Sequence, residues 1–175
     1  MNTAQHVAQW LSAKGIADVF GVIGSGNAAL WDAIARRGHS RLQCFHHEQA
    51  AAQAAVFYHR ATGNHAAVLV TTGAGSSNVV TGILCAWMDS VPLLVIAGNE
   101  PTHFLKDPVR AKGAQGYNFV ETLVGITKDA TRLTPGDVSS VSKWLDCSYT
   151  IMLADRPGPV VLEIPGNVQT MEAAQ

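Results

Sequence analysis

The feature that most constrains this chain is a series of short apolar runs, each followed by a turn and then by a stretch with helical period. AAVLVT (66–71), PLLVIAG (92–98) and GPVVLEIP (158–165) are almost continuously apolar. Strands that lack apolar–polar alternation are buried on both faces, the situation of strands in a parallel sheet. DVFGVI (18–23), LQCF (42–45) and residues 126–133 predict further strands. Helices are predicted between them. The first runs from an Asn2 cap to about Lys14, with Gln5 completing the cap and Gly15 as the stop. The second covers 27–37, with Leu30 and Ile34 on one face and Gly38 beyond its end. An alanine-rich helix runs from Glu48 to about Thr62 and ends at Gly63; others cover 77–88 and 137–154. This alternation predicts an α/β three-layer sandwich, a mostly parallel sheet of about six strands with helices on both faces. In such sheets ligands gather at the carboxyl ends of the strands. Three segments fall there: Gly24-Ser25-Gly26, His46-His47-Glu48, and Thr71 to Asn78.

Length and charge narrow the field. The 175 residues suit one domain, placed at 1–170 with a frayed tail at 171–175. Net charge is −1 and no basic stripe is visible, which argues against nucleic acid. No apolar run reaches membrane-spanning length, and MNTAQHVAQW lacks the regions of a signal peptide, so a cytoplasmic location without membrane contact is expected. Cys44, Cys85 and Cys147 are far apart and form no CxxC, so they are expected to be reduced, buried small residues. Charged residues are only 14% of the chain, which points to a surface partly covered by a partner.

GVIGSGNAAL (21–30) matches G-x-G-x-x-A, the dinucleotide-binding fingerprint, and Glu48 stands at about the distance where that fingerprint wants an acid. Three features oppose a dinucleotide-binding protein. A helix precedes the first strand, Glu48 opens a helix rather than closing a strand, and the second glycine turn, Gly73-Ala74-Gly75, is left unexplained. A metal site from His46 and His47 is not expected: adjacent residues leaving a strand point in opposite directions, and no HExxH is present. His47 reads instead as a packed or capping residue. Ser25 lacks a Gly-x-Ser-x-Gly elbow, so a hydrolase triad is not indicated.

VFGVIGSGNAALWDAI, FHHEQAAAQAAVFYHRATG and VLVTTGAGSSNVVTGILCAWMDSVPLLVIAG, taken together, resemble the pyrimidine-binding domain of thiamine diphosphate enzymes, in the acetolactate synthase and benzoylformate decarboxylase branch. GPVVLEIPGNVQ resembles the end of that domain. The resemblance implies that Glu48 is the catalytic carboxyl. It would bond a ring nitrogen of the aminopyrimidine and favour the tautomer that activates the thiazolium toward a 2-oxo acid. It also implies that Ile23, Gly24, Thr71, Gly73 and Asn78 lie on the cofactor side. Ile23 stands where the family often has proline, and Ala74 replaces the usual proline of the glycine turn. Ser25, His47, Gln115 and Asn118 become candidate substrate contacts. Asn118 lies in Tyr117-Asn118-Phe119-Val120-Glu121, which resembles an altered Phe-Gln-Glu-Val-Asp segment.

Complete enzymes of this family also carry a diphosphate-binding domain whose Gly-Asp-Gly signature ligates Mg²⁺, and this sequence has no Gly-Asp-Gly. The resemblance therefore implies a split enzyme, inactive alone. A partner chain would supply the diphosphate domain and hold most of the thiamine diphosphate and Mg²⁺. A heterotetramer with two copies of each chain would decarboxylate or carboligate a 2-oxo acid. The start at Met1 and the end near Gln175 favour a natural subunit over an excised fragment. The alternative functional reading is a non-catalytic interaction subunit of such a complex.

Overall fold

The computed structural model describes residues 1–37, 39–105 and 113–172. Six strands form one sheet: β1 (Asp18–Gly21), β2 (Arg41–Cys44), β3 (Ala67–Val70), β4 (Leu93–Asn99), β5 (Asp129–Arg132) and β6 (Pro159–Pro165). Their order is β2-β1-β3-β4-β6-β5, and every pairing is parallel. Among the described residues the α-helical segments are α1 (Thr3–Ala13), α2 (Ala28–Arg37), α3 (Glu48–Thr62), α4 (Ala74–Ser77), α5 (Val80–Met88), α6 (Phe119–Thr122), α7 (Val141–Leu153) and α8 (Gly166–Thr170). The three-layer α/β sandwich expected from the sequence is the fold observed.

The unbroken apolarity of the central strands has the expected cause. In β3 and β4 every residue is buried, and alternate side chains enter two separate cores. Ala67, Leu69, Leu94 and Ile96 pack with Val7 and Leu11 of α1, Leu30 and Ile34 of α2, and Leu145 and Met152 of α7. Val68, Val70, Leu93, Val95 and Ala97 face the other way, toward Ala51, Ala52, Ala55 and Val56 of α3, Ile83 and Ala86 of α5, and Phe119 of α6. A one-residue slip of either strand would exchange the two sets. α3 and α5 lie close together because Gly82 has no side chain; a Cβ there would stand 2.4 Å from the Ala52 Cβ.

Local signals set the helix ends. Asn2 caps α1 through its side chain to the Gln5 amide, and Gln5 returns a bond to the Asn2 amide. Gly63 ends α3 with φ +73°. The predicted helix over 77–88 is two segments, α4 and α5, broken after Ser77. The predicted helix over 137–154 opens as a 3₁₀ turn, Pro135–Ser140, before α7. α8 extends beyond the last predicted strand. Gly38, the segment 106–112 with Pro108, and the last three residues of the expected tail lie outside the described residues.

One expectation is corrected. Cys44 and Cys147 are exposed and Cys85 is half-buried, though all three are free. Cys44 sits on β2, an edge strand whose residues are largely exposed, and Cys147 sits on an exposed position of α7. Edge exposure also explains how Asp18, buried at the start of β1, is satisfied. Arg41 reaches in from β2 with two hydrogen bonds of 3.0 Å, and Gln43 adds one of 2.9 Å. The chain's ends meet: Thr3 N–H donates to the Met171 carbonyl at 2.9 Å, and the Met1 ammonium pairs with Glu172.

Candidate functional site

The order of the strands reverses between β1 and β3: β2 lies to one side of β1, and β3 with the rest of the sheet to the other. Connections leaving the carboxyl ends of those two strands diverge to opposite faces and leave a crevice. A cleft of about 420 Å³ lies there, lined by Gly24, Ser25, Glu48, Thr71, Thr72, Ala74, Gly75, Glu100 and Gln115. The three segments expected at strand ends therefore converge.

Glu48 is the first residue of α3 and is only 8% exposed. A carboxylate is favoured at that end of a helix by the backbone dipole. Asn78, at the break between α4 and α5, donates its side-chain N–H to Glu48 Oε2 at 2.9 Å. The other oxygen, Oε1, lies on the side of Gly75: a Cβ on Gly75 would stand 3.5 Å from it and 2.6 Å from the Thr71 methyl. Residue 75 must lack a side chain because the Thr71 methyl takes that position beside the carboxyl.

The two glycine turns are fastened to each other. Gly26 N–H donates to Thr71 Oγ1 at 3.1 Å, and Gly24 N–H donates to Asn27 Oδ1 at 2.8 Å. The amides of both glycines in the fingerprint-like loop are thus engaged within the chain. They are not free to cradle a diphosphate as a dinucleotide site requires. Gly26 is held from behind as well. Gln169 of α8, fully buried, donates to the Gly26 and Ile164 carbonyls at 2.6 and 2.7 Å. Gly98 of β4 presses directly on it, since a Cβ there would lie 1.9 Å from the Gly26 oxygen.

The second turn needs its glycine. Gly73 has φ +59°, and a Cβ would meet Gln115 Oε1 at 2.5 Å. Gln115 lines the cleft and accepts a 2.7 Å hydrogen bond from the Thr72 hydroxyl. Ser76 Oγ and the Tyr117 hydroxyl are bonded at 3.1 Å, and burial pushes the Tyr117 hydroxyl's pKa up. Ser25 lines the cleft and is exposed, and Ile23 is 51% exposed just before the loop.

Of the residues expected at the site, Ile23, His47, Gly73, Asn78 and Asn118 are not among the lining residues. His47 is exposed and caps α3, its Nδ1 accepting from the Gln49 amide at 3.2 Å. Asn118 accepts from Arg132 Nη2 at 3.0 Å; Arg132 also pairs with the fully buried Glu163 of β6. Among the described residues no group of three or more His, Cys, Asp or Glu is placed to hold a metal ion. Sequence reasoning missed Glu100, Thr72 and Gln169. Glu100 and Thr72 each follow a buried strand closely, which is the signal that could have found them. Gln169 carries no local signal, because its partner lies 143 positions away.

The residues fit a heteroaromatic ring that needs a carboxyl partner: a buried carboxyl, held through one oxygen by Asn78, lines a cleft with the backbone of Gly24 and Gly75 and the polar side chains of Thr71, Thr72 and Gln115. Residues 1–123 match the family described as thiamine pyrophosphate enzyme, N-terminal TPP binding domain. The large subunit of acetolactate synthase isozyme 2 from Escherichia coli K12 is 32% identical over 171 residues, covering 97% of this chain and 30% of the relative. The acetolactate synthase large subunit of Lactococcus lactis is 33% identical over 175 residues, covering 98% and 29%. The mitochondrial acetolactate synthase of Schizosaccharomyces pombe is 35% identical over 152 residues, covering 86% and 22%. The chain thus spans less than a third of the length of these relatives.

Proposed function

Because the chain belongs to the family of thiamine pyrophosphate enzyme N-terminal domains, we propose that it is the pyrimidine-binding part of an enzyme that decarboxylates or carboligates a 2-oxo acid. The observation that carries this reading is Glu48, buried, held by Asn78 through one oxygen and lining the cleft. Thiamine diphosphate, when bound, supplies a nucleophilic carbon and an electron sink for 2-oxo acid cleavage. This chain's residues supply the setting. Glu48 Oε1 would hold the ring of the bound cofactor through a ring nitrogen, while Asn78 keeps Oε2 occupied. Gly24, Gly26 and Gly75 let the two loops close tightly on the side chains of Thr71 and Thr72, and the Thr71 hydroxyl locks the first loop to the second. Ile23, exposed just before the first loop, would offer an apolar contact.

The diphosphate and its Mg²⁺ fall to another domain, carried by a partner chain in a heterotetramer with two copies of each, working in the cytoplasm. An exposed apolar face supports the partner. Ala50, Ala54, Phe57 and Ala61 recur at helical spacing on α3, beside Leu84 and Met88 of α5; Phe57 is 60% and Met88 65% exposed. Both helices lead away from the cleft, so a protein covering that face would also border the site.

Replacing Glu48 by Gln in the assembled complex tests the reading. The substitution keeps the shape and removes the acid. Turnover is expected to fall about 100- to 10,000-fold, the ordinary worth of a positioned acid or base. Unchanged turnover would show a non-catalytic subunit that only supports its partner.

A further inference from the structure

Glu100 is a second carboxylate in the cleft. It follows Asn99 at the carboxyl end of β4, and the Asn99 side-chain oxygen accepts its N–H at 2.8 Å. Pro101 comes next, so the backbone direction on leaving the strand is restricted on both sides of residue 100. Glu100 lines the cleft together with Ser25, Thr72 and Gln115, and among the described residues the lining holds two carboxylates and no lysine, arginine or histidine.

Resting on the reading that this cleft handles a 2-oxo acid, we propose that Glu100 determines specificity by selecting a substrate whose tail carries a cation or several hydrogen-bond donors, such as an amine or a guanidinium. A 2-oxo acid already brings one negative charge to a site with Glu48. A second carboxylate on the tail would face Glu100 as a like charge in a partly desolvated cleft, whereas a guanidinium meets it as a two-pronged donor. The selection is by repulsion of the wrong tail as much as by attraction of the right one. A 2-oxo acid with such a tail arises by removal of the α-amino group from a basic amino acid. The reaction class that supplies the substrate is therefore a transamination or oxidative deamination.

The test uses the chain in its native complex. Turnover and calorimetric binding are measured with pyruvate, 2-oxoglutarate and the 2-oxo acid derived from arginine. The arginine-derived acid is expected to be preferred over 2-oxoglutarate in kcat/KM and in Kd. Glu100→Gln should narrow both ratios about tenfold, the order expected of one charge pair in a half-wet site. Glu100→Lys should invert them. Ratios unmoved by Glu100→Gln, or a wild-type preference for 2-oxoglutarate, would overturn the proposal while leaving the role of Glu48 standing. Should Glu48→Gln leave turnover of all three acids intact, the reading of the cleft itself fails, and this inference with it.

Discussion

Gly98→Ala adds one methyl group at a position that does not line the cleft, yet it should disturb the cleft strongly. The added Cβ would start 1.9 Å from the Gly26 carbonyl oxygen, 2.4 Å from its carbon and 2.8 Å from Asn27 N. All three are backbone atoms, so no side chain can swing aside. Relief requires β4 and the loop at 24–27 to part by more than an ångström. β4 is the less able to move, since it pairs with β3 on one side and with β6 over seven residues on the other. The loop must yield, and the Gly26 carbonyl then leaves the buried Gln169 amide, to which it is bonded at 2.6 Å. Overpacking costs about 1–3 kcal/mol, and a buried polar group left unpaired costs about 1–3 kcal/mol more. A total near 4 kcal/mol would lower Tm by roughly 8–16 °C for a chain of this size. Gly136→Ala is the control, because its Cβ would meet only Thr134 Oγ1, at 3.6 Å. Urea unfolding of the two variants beside the wild type measures the difference, and cofactor affinity of the complex should fall for Gly98→Ala alone. Equal stability of the two variants would refute the idea that β4 sets the position of the first loop.

Asn78→Ala should destabilise the chain by about 1–3 kcal/mol, since it strips the donor from a buried carboxylate. Asn78→Asp should be worse at neutral pH and partly recover in acid, as read from urea midpoints across pH. Acid stability should depend on Asp18. Burial alone pushes its carboxyl up, but hydrogen bonds from Arg41, Gln43 and Tyr58 outweigh this and hold it below the usual aspartate value. A folded pKa below the unfolded one means that the stabilisation is complete above the ordinary value and disappears as pH falls through the depressed one. Arg41→Met should therefore move the onset of acid unfolding, followed by circular dichroism, to higher pH. Phe57→Asp changes an exposed residue and should leave stability within about 0.5 kcal/mol, while the partner chain no longer co-purifies; retained co-purification would refute a docking role for the α3 face.

The sequence made the local devices legible. The Asn2–Gln5 cap, the stop at Gly63, and Glu48 at the start of α3 each depend on residues a few positions apart. The buried strands were legible for a similar reason, because unbroken apolarity reports burial on both faces. What could not be read depended on pairing across the sheet. Gln169 and Gly98 act on Gly26 only because β1, β3, β4 and β6 lie in that order. Asn118 turns to Arg132 because β5 sits at the sheet's edge beside β6. Cysteine exposure was misjudged at Cys44 because strand type is visible in sequence while edge position is not.

Thr3 and Met171 share a backbone hydrogen bond, and the first and last described residues form an ion pair. A module whose entry and exit lie side by side can be spliced into a longer polypeptide at a single gap, or detached from one, without unthreading its sheet. Permutants that join residue 172 to residue 1 by a short linker and open the chain elsewhere on the surface should accordingly keep the same strand order.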